Sequence, residues 1–213
     1  MKIFFTGKMA SGKTSLANYL VQHRNFKRIS LADPIKEIEL DLESGMSPLE
    51  IVNKHLYFLA PMQQAMFCKI IEEAKLIPRE EPKPRKRLQF IGTEGGRMRV
   101  ADDVWIRLAN FRAANYENIC IDDVRFLNEF DYFTSAGWLG VAVLVMPSIQ
   151  WDRLIALYGR DPDRTILEHA SEKGVENILS QRICHCEIDT SLLEVEASGN
   201  ILLERLHLHD LGH

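Results

Sequence analysis

Residues 7–14 read Gly-Lys-Met-Ala-Ser-Gly-Lys-Thr, a full match to the pattern of glycine, four residues, glycine, lysine and serine or threonine. The pattern constrains the fold because it works in one place, the turn from a buried strand into the first turn of a helix. Both flanks comply: Lys2–Thr6 is short and β-prone, and from Lys13 to His23 the residues Leu16, Ala17, Leu20 and Val21 share one helical face. Glycine at 7 and 12 lets backbone N–H groups of the loop, Ala10 and Ser11 included, wrap around phosphate oxygens. The helix N-terminus adds positive potential, Lys13 reaches the β- and γ-phosphates, and the Thr14 hydroxyl is a ligand for Mg²⁺.

Further β-type runs at Phe26–Leu31, Asn118–Asp122, Leu139–Val145 and Cys184–Asp189 are accompanied by helical patterns at Asn128–Ala136 and Ser148–Leu157. A long helical insert separates the second strand from the third. Asp33-Pro34 supplies an N-cap and a proline at the first helical position, Ser47-Pro48-Leu49-Glu50 a capping box, and 48–75 a helical stretch interrupted at Pro61. Pro78–Arg87 reads as a mobile loop and Val104–Ala114 as a helix. The alternation predicts an α/β P-loop NTPase fold: a five-stranded parallel sheet with helices on both faces, a helical substrate cap and an arginine-bearing lid. The expected partition of this single domain is a core of 1–33, 115–147 and 180–213, a cap of 34–114 and a lid of 148–179. At 213 residues such a chain buries one sizeable core without disulfides.

A phosphate loop serves kinases, GTP switches and ATP motors alike. The nearest match to a guanine-reading segment, Asn53-Lys54-His55-Leu56, lacks its aspartate, and Glu94-Gly95-Gly96-Arg97 is not a transporter signature. A small ATP- and Mg²⁺-dependent kinase remains. Asn118–Arg125 is an apolar strand ending in Asp122, Asp123 and Arg125; Asp122 there joins Thr14 as a candidate for the Mg²⁺ shell, and Arg125 matches a phosphate bidentately. A surface turn with an ordinary ion pair is the alternative. Trp151-Asp152-Arg153 and then Arg160 and Arg164, in the Gly/Pro-bearing stretch Gly159–Arg164, read as supplying lid arginines that stabilise charge on the transferred phosphoryl group, or else as part of a solvated charged loop.

Charge and apolar patterning narrow the partners to a small molecule. With 26 Lys+Arg against 30 Asp+Glu the net charge is −4, which disfavours a nucleic-acid-coating role, and the longest apolar run, Leu139–Met146, is far short of the roughly 20 residues of a membrane span. The basic run Arg85-Lys86-Arg87 is read as solvated, Cys184-His185-Cys186 as buried strand rather than zinc site, and His207, His209, Asp210 and His213 as a frayed tail. No signal-peptide pattern follows Lys2, so a cytoplasmic protein with four reduced thiols is expected. A homodimer is compatible with this reading.

The ordered set of Gly7–Thr14, Leu31–Lys36, Leu88–Glu94 with Trp105, Asp123–Glu129 and His169-Ala170-Ser171-Glu172 resembles the bacteriophage-type deoxynucleoside monophosphate kinases over nearly the whole chain. The resemblance implies transfer of the γ-phosphoryl of ATP to a deoxynucleoside 5′-monophosphate, in the host cytoplasm if phage-encoded. It implies catalytic roles for Lys13 and Arg125 and substrate contacts from Asp33, Lys36, Arg87, Gly92, Thr93, Trp105, Asp123, Arg125 and Glu129. Ala197-Ser198-Gly199-Asn200 looks like the loop that holds adenine through its backbone, which makes Ser198 and Gly199 candidate cofactor contacts. A kinase of another small acceptor, such as a ribonucleotide or coenzyme precursor, and a non-enzymatic nucleotide-gated binding module are the alternatives.

Overall fold

The computed structural model describes residues 1–80, 84–159 and 167–210, with side chains to 206. The chain divides into two compact units, one of 1–29 and 115–213 and one of 30–114. The first unit contains five parallel strands: β1 (Lys2–Thr6), β2 (Lys27–Ile29), β3 (Ile119–Ile121), β4 (Leu139–Leu144) and β5 (Cys186–Asp189). Their order is β2-β3-β1-β4-β5, with Ile3 in register with Cys120 on one side and Leu139 on the other. Ile3, Phe4 and Phe5 are wholly buried, as expected of a central strand covered on both faces.

Helices α1 (Lys13–Arg24) and α10 (Val195–Asp210) cover the face that carries Ile3, Phe5, Val141 and Ile188. On the other face Phe4 meets Phe130 of α7 (Leu127–Ser135) edge-on at 5.2 Å. Two further helices, α8 (Pro147–Tyr158) and α9 (Ala170–Gln181), fall within the stretch expected to form a lid. Its arginines Arg160 and Arg164 lie outside the described residues, as do Glu81–Lys83 of the expected loop and His213 of the tail.

The second unit is helical: α2 (Asp33–Glu43), α3 (Pro48–His55), α4 (Pro61–Lys75), α5 (Arg85–Gln89), a π-helix over Phe90–Val100 and α6 (Val104–Ala113). Its interior holds Ile38, Ile51, Val52, Phe67, Ile70, Ile71, Ile91 and Trp105. Three glycines of the π-helix receive its neighbours. A Cβ on Gly92 would lie 2.7 Å from Ile35 of α2, one on Gly95 2.5 Å from Ile70 of α4, and one on Gly96 2.8 Å from Trp105 of α6. Among the described residues no helix is long and apolar enough to cross a membrane.

Four local expectations are corrected. Helix α2 begins one residue earlier, with Ala32 as N-cap; Asp33 sits in its first turn and binds Lys36 instead of capping. Residues 85–87 are helical rather than a solvated loop, because Arg87 is buried with its Nε donating to the Ile77 carbonyl at 2.7 Å and its guanidinium on Glu43. Cys184 precedes β5 instead of lying within it, and the strand at this edge of the sheet is only partly buried. Ala197–Asn200 is not a loop but part of α10: the Ser198 N–H donates to the Glu194 carbonyl at 3.0 Å, and the missing side chain of Gly199 admits the ring of Tyr19, whose hydroxyl reaches Asn200 at 2.8 Å. Ser198 and Gly199 therefore lie in a helix packed against α1 rather than in a loop.

That packing sets the cost of a methyl group at 199. Alanine gains up to about 1 kcal/mol of helix propensity over glycine, but its Cβ would stand 2.4 Å from two ring carbons of Tyr19. Overpacking of this kind costs about 1–3 kcal/mol, so Gly199→Ala lowers the urea unfolding midpoint without changing the denaturant slope. A neutral or stabilising substitution would contradict this helix–helix contact.

Candidate functional site

The loop from β1 to α1 is shaped by close approach at one glycine and left-handed backbone at two residues. A Cβ on Gly7 would lie 2.3 Å from the Val143 carbonyl oxygen, so only glycine lets the loop leave β1 against β4. Gly12 has φ +93 and Ala10 φ +59, the latter a strained choice for a residue with a side chain. The curl brings backbone carbonyls together around one ammonium group. Lys13 Nζ donates to the Gly7 carbonyl at 2.6 Å, to that of Lys8 at 2.7 Å and to Ser11 Oγ at 3.4 Å.

Burial pushes the Lys13 ammonium down from 10.5 to about 7, and repulsion from Arg125 adds to the shift. Glu172, Asp122 and Asp123 oppose it. Lys13, Arg125 and three carboxylates thus share one electrostatic environment at the carboxyl ends of β1 and β3.

Thr14 Oγ1 donates to Asp122 Oδ2 at 2.7 Å, and Arg28 Nε of β2 donates to the same oxygen at 2.8 Å. Asp122 is buried, and its Oδ1 has no hydrogen-bond partner in the structure. One oxygen is anchored while the other is free, beside a threonine hydroxyl. This all-oxygen donor set suits a hard cation such as Mg²⁺, which binds through one or two protein oxygens and keeps several waters.

The crown of the loop is held by residues distant in sequence. Met9 N–H donates to Glu172 Oε2 at 3.0 Å, and Gln150 Nε2 donates to the Met9 carbonyl at 2.8 Å. Arg153 donates to the Ala10 carbonyl at 3.2 Å and to Thr190, whose hydroxyl donates to the Ser11 carbonyl at 2.7 Å. The other oxygen of Glu172 takes the Arg125 guanidinium. Sequence reasoning assigned no site role to Arg28, Gln150 or Thr190, took Arg153 for one of the lid arginines, and met Glu172 only within the 169–172 segment. The available signal for some of them was a polar residue just beyond a strand end, as with Thr190 directly after β5.

The remaining predicted residues have other occupations. Glu129 Oε2 accepts from the N–H groups of Arg125 at 2.8 Å and Phe126 at 3.1 Å, so its carboxylate caps α7. Trp105, offered by the resemblance as a substrate contact, is in the core: it is 2% exposed, lies edge-on to Phe67, and donates its Nε1–H to the Gly92 carbonyl at 2.8 Å. Gly92 is buried in that contact, Arg87 is held by Glu43 and Glu39, and Thr93 is half-buried on the π-helix. Lys36 is solvent-exposed and paired with Asp33 at 2.7 Å.

No family model and no curated protein matches the chain. In fold it is similar to a protein designated TT1252 from Thermus thermophilus, at 12% identity and TM-score 0.53 over 97% of this chain and 96% of that one. It is also similar to shikimate kinase from Aquifex aeolicus, at 14% identity and TM-score 0.50 over 100% of both chains. The architecture is therefore an α/β P-loop fold, a five-stranded parallel sheet flanked by helices.

The depressed Lys13 value has a measurable consequence. Between pH 7 and 10.5 the unfolded chain keeps a proton that the folded, ligand-free chain has released, so this group makes stability rise with pH across that window. The thiols of Cys120, Cys184 and Cys186, raised by burial to about 12, 12 and 11, act oppositely above pH 9. The unfolding free energy of wild type minus that of Lys13→Met is therefore expected to increase from pH 7 to 9, by at most about 1.4 kcal/mol per unit. A flat difference in urea titrations would show that Lys13 keeps its ordinary proton affinity.

Proposed function

We propose that this chain is a kinase that moves the γ-phosphoryl of ATP to a deoxynucleoside 5′-monophosphate, giving the diphosphate and ADP. The observation that carries the phosphotransfer reading is the assembly of Lys13, Thr14, Asp122 and Arg125 around one loop, with an anchored carboxylate whose second oxygen is unbonded. The choice of acceptor rests on the resemblance of the ordered segments, and Lys36, Thr93 and Asp123 are its candidate contacts.

The chemistry asked of the protein is positioning and charge stabilisation. Backbone N–H groups of residues 7–14 cradle the polyphosphate. Lys13 exchanges loop carbonyls for phosphate oxygens, and that anionic partner restores its proton. Thr14 and Asp122 are the residues that would hold Mg²⁺, which when bound supplies neutralising charge at the β- and γ-phosphoryl oxygens. Arg125 meets charge on the transferred group. The acceptor phosphate is already anionic at neutral pH, so no side chain has to act as general base. In the same reading residues 34–114 are the acceptor cap and 148–179 the lid, which brings Arg160 and Arg164.

One observation favours a second reading. Trp105, the aromatic offered by the resemblance to base or sugar, is inside the core, and a fold neighbour is named for shikimate, which is not a nucleotide. A kinase of another small acceptor accommodates both.

ADP release measured with each deoxy- and ribonucleoside monophosphate separates these. Deoxy substrates are expected to exceed their ribose counterparts by ten- to a hundredfold in kcat/KM, because burying an unpaired 2′-hydroxyl costs about 1–3 kcal/mol. Equal efficiency points to a general nucleoside monophosphate kinase, turnover with shikimate alone to the second reading, and nucleotide binding without acceptor-dependent turnover to a binding module. Lys13→Ala should lower kcat at least about a hundredfold, roughly 2.7 kcal/mol, with the fold retained. Lys36→Ala should weaken monophosphate binding by about 1.5–3 kcal/mol in calorimetry and leave ATP affinity unchanged; an equal loss for both ligands would remove Lys36 from the acceptor site.

A further inference from the structure

We propose that Glu172 is a positioning residue that holds Arg125 and the crown of the phosphate loop in a single arrangement, an inference that rests on the phosphotransfer reading above. Its side chain is 4% exposed, and its two oxygens have different partners: Oε2 accepts from Met9 N–H, and Oε1 takes the Arg125 guanidinium. The carboxylate thus ties the third residue of the loop to the arginine that follows β3, 116 positions on in the chain. The tie is backed by rigid backbone on both sides. Two residues beyond Glu172 a Cβ on Gly174 would lie 2.3 Å from the Arg125 carbonyl oxygen, so α9 is pressed against this turn. From the other side Glu129 receives the Arg125 and Phe126 N–H groups. A second link, Lys8 Nζ to Glu176 Oε1 at 2.8 Å, joins α9 to the loop one turn further along.

Charge explains why a carboxylate is needed there. Lys13 and Arg125 repel each other in a poorly solvated site, and of the acids that offset this at Lys13, Glu172 acts most strongly. Remove its charge and the acids left to offset that repulsion at Lys13 are Asp122 and Asp123. Asp122 is the residue whose free oxygen the proposed metal requires, so an arginine released from Glu172 would compete for that oxygen. Glu172 keeps the cation available to phosphate and away from Asp122. It touches no reacting atom in this scheme and acts through Arg125.

The test is a double-mutant cycle on Glu172→Gln and Arg125→Ala, read as kcat for acceptor phosphorylation and as Kd for Mg·ATP by calorimetry. Glu172→Gln should lower kcat tenfold or more while Kd changes less than threefold, since the amide keeps the side chain's shape and only the orientation of Arg125 is lost. The double variant should match Arg125→Ala alone, and Glu172→Asp, which keeps the charge, should recover part of the loss. A kcat within twofold of wild type, losses that multiply in the double variant, or a Kd that weakens in step with kcat would overturn the proposal; the last is the signature of a merely structural role. If Glu172→Gln does not fold, the same criteria apply to the cycle built on Glu172→Asp. A wild type that binds Mg·ATP but phosphorylates no acceptor refutes the kinase reading instead. The cycle is then judged on acceptor-free release of phosphate from ATP, which needs Arg125 but no acceptor, with the same outcomes for and against.

Discussion

Enclosing one ammonium group is the constraint on which the rest of the first unit depends. An isolated charge taken out of water costs many kcal/mol unless it is hydrogen-bonded and paired. Lys13 Nζ meets that cost with the carbonyls of Gly7 and Lys8, and gives up part of its proton affinity in doing so. Those carbonyls converge only if the loop doubles back on itself, which forces glycine against the Val143 carbonyl and left-handed backbone at Ala10 and Gly12. A left-handed alanine costs about 1–2 kcal/mol and persists only where its surroundings over-determine it. Here they do. Gln150, Arg153, Glu172 and Thr190 bind the backbone of Met9, Ala10 and Ser11, so α8 holds Met9 and Ala10, α9 holds Met9 as well, and the turn after β5 holds Ser11.

The strand order makes this convergence possible. With β1 between β3 and β4, the segments leaving the carboxyl ends of β1 and β3 emerge side by side, next to the point where the connection changes direction across the sheet. The loop of 7–14 and the turn of 122–125 are neighbours for that reason, and Thr14 meets Asp122 across 108 positions of sequence. Arg28 reaches Asp122 because β2 pairs with β3, with Arg28 in register with Cys120.

The same geometry explains what was legible beforehand. The phosphate loop is local: its glycines, lysine and threonine act within eight consecutive residues, so their pattern identifies both the loop and the strand and helix around it. The five parallel strands were legible for a similar reason, since β1, β3 and β4 are short, nearly unbroken apolar runs. Glu172 was not, because nothing in its own neighbourhood says that its partners are Met9 and Arg125. Trp105 and Gly199 show how a glycine's purpose hides in sequence. The resemblance offers Trp105 to a substrate, yet Gly95 and Gly96 make room for Ile70 and Trp105 in a core. Ser-Gly-Asn looks like a turn, yet this glycine is small so that a helix can sit on Tyr19. In both cases the signal was a glycine, and the sequence alone cannot say whether its missing side chain admits a ligand, a bend or a neighbour.

Without nucleotide, the cations of the site already have partners, and these are of a particular kind. Lys13 is satisfied by neutral carbonyls, Arg125 by a carboxylate from another helix, and Asp122 is half satisfied, with one oxygen anchored and the other bare. In the proposed reading a polyphosphate therefore enters by exchange of partners, and the exchange is uneven. Replacing carbonyls by an anion strengthens the bonds of Lys13 and restores its proton, because charge-assisted hydrogen bonds are roughly twice as strong as neutral ones. Arg125 is tied to Glu172 through one guanidinium nitrogen, so in the proposed scheme its remaining N–H groups meet phosphoryl oxygen while that tie holds. Lys13 is then the group with most to gain from nucleotide, and Arg125 a cation already set in place. That division suits a site in which one cation follows the bound nucleotide and the other meets charge at a fixed position as it moves between two ligands.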